Sequence, residues 1–138
     1  MPLTIVLLLR LLLAAASGAA IGAQRESKGR PAGLRTLALI SLGAALFGVI
    51  SNFGFAGGNP AMVAAGVVTG VGFLGAGAIL HHDSGIEGMT TAATIWVSAG
   101  IGLAAGAGFY WISAIVTVIV LVILYIPHLE PQDKGKGK

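Results

Sequence analysis

The 138-residue sequence contains no cysteine. That excludes disulfides, thiolate metal sites and a thiol nucleophile, and it leaves the redox compartment unreadable. Charge is almost as scarce: 9% of residues are Asp, Glu, Lys or Arg, against about a quarter in a soluble domain. Such a chain cannot dress a water-exposed surface. Signatures of several function classes are missing too. There is no GxSxG, Walker-type loop, HExxH, DNA-binding basic helix or pair of buried carboxylates. The glycine clusters sit in apolar runs without strands, so a dinucleotide fingerprint fails its own context.

What the sequence has is long apolar runs. Hydrophobic residues make up 56% of the chain and the mean hydropathy is +0.93. Lipid must therefore solvate most of it, and the length suits one domain. Composition and spacing predict an all-α polytopic membrane protein, a bundle of five transmembrane helices over residues 3–23, 34–52, 61–80, 88–107 and 110–126. A run of about 20 residues crosses about 30 Å of hydrocarbon. Residues 1–127 then form the transmembrane domain, and 128–138, HLEPQDKGKGK, a disordered cytoplasmic tail. A cleaved signal peptide is the rival reading of the first run. It is opposed by the positive charges, which follow the run rather than precede it.

The formal net charge is +3, and its distribution orients the chain. Arg25, Lys28, Arg30 and Arg35 lie in or beside the first connection, and Lys134, Lys136 and Lys138 in the tail. Basic residues mark the cytoplasmic side. Five spans put the N-terminus outside and both clusters inside. Phe109-Tyr110-Trp111 then falls at an outer aromatic belt, and Asn59-Pro60 reads as a helix start.

Small residues mark close helix contacts in lipid. Gly18 and Gly22 fall four apart in the first run, and Gly66, Gly70, Gly72, Gly75 and Gly77 line the third, where they make a groove for a neighbour.

A few polar residues are candidates for function. Arg10 is a charge inside a span, which costs at least about 2.5–3.5 kcal/mol at mid-membrane on insertion scales. It is either functional or snorkels outward toward Thr4 or Asn52. Thr90, Thr94 and Ser98 repeat every four residues. They form either a polar path or a set of interhelical hydrogen bonds, the bonds being the simpler reading. His81, His82, Asp83 and Glu87 have poor spacing for a metal site. They read as a solvated turn whose carboxylates favour the start of the fourth helix. Arg25, Glu26 and Arg35 belong to a polar connection that meets lipid headgroups or phosphate, with topology and headgroup contact as the simpler role. Pro31-Ala32-Gly33 sets how the chain starts the second span. No metal site, cofactor or nucleic-acid surface is expected.

Four strings resemble one family in order: LLRLLLAAASGAAIGAQRE, GRPAGLRT, GVGFLGAGAI and GMTTAATIWVSAGIGLAAGAGFY. Together they are similar to the transmembrane domain of the MgtC/SapB proteins. Arg10, Arg25, Glu26, Pro31, Gly33, Arg35, Thr36, Gly72, Gly75, Gly77, Asp83, Gly88, Thr90 and Thr91 fit its pattern. The family commonly has an acidic residue where Gln24 stands. Many members add a soluble C-terminal domain, so the chain resembles a short form without it. The resemblance implies a bacterial inner-membrane protein of four or five spans, without catalytic residues. It links the chain to growth in low magnesium, to magnesium homeostasis and to survival inside macrophages. It also implies a regulator of other membrane proteins, the F-type ATP synthase and the membrane potential among its targets. Self-association is expected, because so few intramembrane residues enclose little volume. The alternative is a small transporter or channel with its path along Arg10 and the Thr90–Ser98 stripe.

Overall fold

The computed structural model describes residues 2–83 and 85–127. The tail expected to be disordered lies outside the described residues. Among the described residues five helices follow in order: α1 (Leu3–Ser27), α2 (Leu34–Phe53), α3 (Pro60–Gly77), α4 (Met89–Ala107) and α5 (Tyr110–Tyr125). Among the described residues, α1 to α4 are each long and apolar enough to cross a membrane, and α5, 16 residues long, is a shorter apolar helix. The chain is an all-α, multi-pass membrane protein.

Local chemistry sets the boundaries. α1 runs four residues beyond the expected span, because Gln24 to Ser27 contain no breaker and Arg25 turns inward. It stops in a Schellman motif: Gly29 takes a left-handed φ of 64°, Arg30 N–H donates to the Arg25 carbonyl and Gly29 N–H to that of Glu26. Glycine supplies that conformation without the Cβ penalty. Asn59 caps α3 by accepting the Ala61 N–H at 3.0 Å, with Pro60 in the first turn. α3 ends at Gly77, three residues short of expectation. Its last turn tightens, with Ala78 N–H on Gly75 O and Ile79 N–H on Ala76 O, and Leu80 leaves for a strand. Gly108, at φ 94°, ends α4 and separates it from α5.

One feature departs from an all-helical chain. The polar stretch expected as a turn is a short antiparallel hairpin, β1 (Leu80–His82) with β2 (Gly85–Glu87). Its register pairs Leu80 with Glu87, His81 with Ile86 and His82 with Gly85.

α1, α2 and α4 pack on one another. α3 leans on α4 and the edge of α2, and α5 on α4 and α1. The core is made of Ile21, Leu37, Ile95, Ile101 and Val120, with a second cluster of Ala14, Ala45 and Ala105. Successive helices alternate in direction. Arg10 of α1 meets the C-terminal turn of α4 and the start of α5, while Gln24 reaches Leu124 O near the end of α5.

Candidate functional site

The site is built on one face of α1, where Arg10, Ala14, Gly18, Ile21 and Arg25 recur at helical spacing. The two arginines stand about 22 Å apart along the axis at 1.5 Å per residue. Each has its own surroundings.

Arg25 is only 3% exposed. The expectation of a topology charge in contact with headgroups is therefore corrected: its guanidinium lies inside the bundle. Nε donates to Pro31 O at 3.0 Å, Nη2 to Thr91 Oγ1 at 2.6 Å, and Nη1 reaches Thr94 Oγ1 at 3.5 Å. No carboxylate lies within ion-pair distance of it among the described residues. A buried ion carries a desolvation penalty of several kcal/mol, so these oxygens hold the charge in place. The turn that supplies Pro31 O is itself strained. Ala32 has φ 57°, a left-handed backbone that costs an L-residue roughly 1–2 kcal/mol. Glu26 points elsewhere: its Oε2 accepts the Leu34 N–H at 2.9 Å at the start of α2. Arg35 is exposed.

On α4 the inward hydroxyl face is Thr91, Thr94, Ser98 and then Gly102. The expected stripe began one residue early. Thr90 is exposed and takes part only through its carbonyl, which accepts the Thr94 hydroxyl at 2.7 Å. Further along, Ser98 is fully buried, as are Ser41 of α2 and Ser113 of α5. Among the described residues none of the three Oγ atoms has a hydrogen-bond partner. Ser41 marks the meeting point of three helices. A methyl on Gly102 would run into the Ser41 carbonyl oxygen, and one on Gly18 would sit 2.8 Å from Ser41 Cβ. Gly22 is as tight, with Gly33 O at 2.5 Å and Leu34 Cα at 2.6 Å from an added Cβ.

At the other end, Arg10 does not reach for Thr4 or Asn52, which corrects that expectation. Nε donates to the Tyr110 hydroxyl at 3.1 Å and Nη1 to Gly106 O at 2.9 Å. Its guanidinium carbon lies 5.5 Å from the centre of the Phe53 ring and 5.7 Å from that of Tyr110. These residues end α2 and α4 and begin α5, so the charge sits where the spans finish.

The remaining candidates are spread out. In the hairpin Asp83 and Glu87 are exposed, and His82 Nε2 lies 3.9 Å from Glu87 Oε2. An exposed pair of this kind contributes about 0–1 kcal/mol. Among the described residues no three His, Asp or Glu side chains come together. Gly75 makes ordinary contact with Ala92, but an added Cβ on Gly66, Gly70, Gly72 or Gly77 meets nothing within 4 Å. The expected neighbour in that groove is thus no described element of this chain.

Sequence reasoning left out Thr91 as a polar partner, read Tyr110 only as part of an aromatic belt, and left out Ser41, Ser113, Thr117 and Gly106 altogether. A signal existed for Thr91, which is spaced three and seven residues before Thr94 and Ser98. Isolated serines in apolar runs carry none.

The sequence profile of the MgtC family matches residues 11–130. The chain belongs to the MgtC family. The match takes in Arg25, Ser41, Thr91, Thr94 and Ser98, and begins one residue after Arg10. Among curated MgtC-like relatives, YhiD of Escherichia coli (strain K12) is 46% identical over 129 residues, covering 88% of this chain and 60% of its own. Its name describes a proposed magnesium transporter. Protein MgtC of Salmonella typhimurium (strain LT2) is 45% identical over 114 residues, covering 83% of this chain and 49% of its own. An uncharacterised protein of Haemophilus influenzae is 42% identical over 130 residues, 87% of this chain and 55% of its own. The chain thus spans about half to three fifths of the length of these relatives. No solved structure matches it.

Proposed function

We propose that this MgtC-family chain is a non-catalytic regulator of ion and energy homeostasis, acting in low magnesium by binding other membrane proteins. The F-type ATP synthase and the membrane potential are its candidate targets. On this reading the chain lies in the bacterial inner membrane with its N-terminus outside and its C-terminus in the cytoplasm. It also associates with copies of itself.

The observation that carries the reading is the α1–α2–α4 core. Gly18, Gly22, Gly102 and Gly106 bring backbones so close that a methyl does not fit between them. That leaves no width for a hydrated divalent ion between these helices. An arginine with no carboxylate partner among the described residues stands at one end, and opposes a cation there. The outer helices α3 and α5 meanwhile keep large apolar side chains exposed, such as Phe73 and Trp111, and offer surface to partners.

A transporter is the second reading. The YhiD name supports it, as do the hydroxyls of Ser41, Ser98 and Ser113, which have no partner among the described residues.

Flux separates the two. Under the first reading, deletion of the gene impairs growth in low magnesium, while purified protein in liposomes moves no Mg²⁺. Solute flux that Arg10→Leu abolishes overturns the regulator in favour of the transporter. Reporter fusions at the two termini test the orientation, and both on one face of the membrane refutes it.

A further inference from the structure

Arg10 has more hydrogen-bonding capacity than the described residues use. A guanidinium carries five N–H donors, and two of them find acceptors, the Tyr110 hydroxyl and Gly106 O. No carboxylate comes within ion-pair distance of it among the described residues. Two aromatic rings offset part of the charge, but no carboxylate of the described residues neutralises it. Alongside lies a groove of about 360 Å³ lined by Val6, Leu9, Leu13 and Tyr110, between α1 and α5. Pockets for small molecules begin at about 300 Å³. Tyr110 belongs to both features: it lines the groove, and its hydroxyl accepts from Arg10.

We infer that this groove holds one anionic phospholipid, with the phosphate on Arg10, an acyl chain leaving it along Leu9 and Leu13, and Val6 beside the headgroup. Three observations combine. The walls are apolar apart from the Tyr110 hydroxyl, which suits hydrocarbon. A cation with no carboxylate partner among the described residues stands at one side of them, which suits an amphiphilic, negatively charged occupant. The depth is right as well. Phe53, Gly106 and Tyr110, which surround the guanidinium, lie at helix ends, where headgroups meet the bundle, and a chain leaving the phosphate along Leu13 runs toward the membrane interior. The inference concerns Arg10 and the groove beside it and does not depend on whether the chain regulates or transports.

The test is native mass spectrometry of the full chain released from nanodiscs of phosphatidylglycerol or of phosphatidylcholine with identical acyl chains. One phosphatidylglycerol retained per chain in excess of phosphatidylcholine is expected. Arg10→Gln should lower that preference about fivefold, the effect of one basic residue at an anionic surface. Leu9→Trp fills the groove from an exposed position and should reduce retention with Arg10 intact. Glycerol phosphate at millimolar concentration should not displace the lipid. Equal retention of the two lipids by the unmodified chain overturns the inference. So does an unchanged preference in Arg10→Gln or unchanged retention in Leu9→Trp. Displacement by glycerol phosphate also overturns it, by reducing the site to one for phosphate. If Arg10→Gln fails to fold by circular dichroism, the lipid comparison and Leu9→Trp still decide.

Discussion

Two glycines on α4, Gly100 and Gly102, differ in one respect that a single methyl can measure. A Cβ added at Gly100 meets nothing within 4 Å. At Gly102 it collides with the Ser41 carbonyl oxygen and lies 2.7 Å from the carbonyl carbon and 2.8 Å from Cα. Ordinary carbon contacts are about 3.5–4.0 Å, so α2 and α4 must separate by about 1 Å to admit the methyl. The obstacle is backbone, which cannot rotate away as a side chain does. Overpacking of this kind costs about 1–3 kcal/mol, and the rigid neighbour argues for the upper half. Both substitutions gain the same helix propensity, up to about 1 kcal/mol in water, and that gain cancels in the comparison. Gly100→Ala is therefore expected to be neutral or slightly stabilising, and Gly102→Ala to be less stable than it by about 2–3 kcal/mol. Equilibrium unfolding in mixed micelles, followed by circular dichroism, measures the difference. Stabilities within about 0.5 kcal/mol of each other refute the close contact at Ser41 and with it the closed core behind the functional reading.

Two further outcomes follow from the Arg25 pocket and are measured in the same way. Thr91→Val keeps the shape but removes the acceptor at 2.6 Å from Nη2, so it should cost about 1–3 kcal/mol. Thr90→Val at the exposed neighbour should stay within about 0.5 kcal/mol, and the reverse order would move the polar face of α4 back by one residue. Ala32→Gly relieves the left-handed backbone at φ 57°. After the extra entropy of glycine in the unfolded chain, a net gain of about 0.5–1 kcal/mol is expected, and a loss would contradict the turn that aims Pro31 O at Arg25.

The number, order and approximate limits of the helices were legible in the sequence because lipid demands long runs free of charge. Pro60 and Gly108 punctuate them by chemistry that needs no neighbour. The family was legible too, from ordered strings that survive any uncertainty about packing. The address of each polar residue was not. In water an apolar stripe tells which face of a helix turns inward. In lipid both faces are apolar, and that signal fades. Hence Arg25 read as a headgroup charge although it lies inside, Thr90 stood in for Thr91, and five α3 glycines looked like one packing face although, among the described residues, only Gly75 has a neighbour within 4 Å of an added Cβ. The rotation of each helix about its axis came only from the tertiary fit, in which Gly18 and Gly102 close on Ser41 from two sides. That fit turns Arg25 toward Thr91 and Arg10 toward Tyr110 and Gly106.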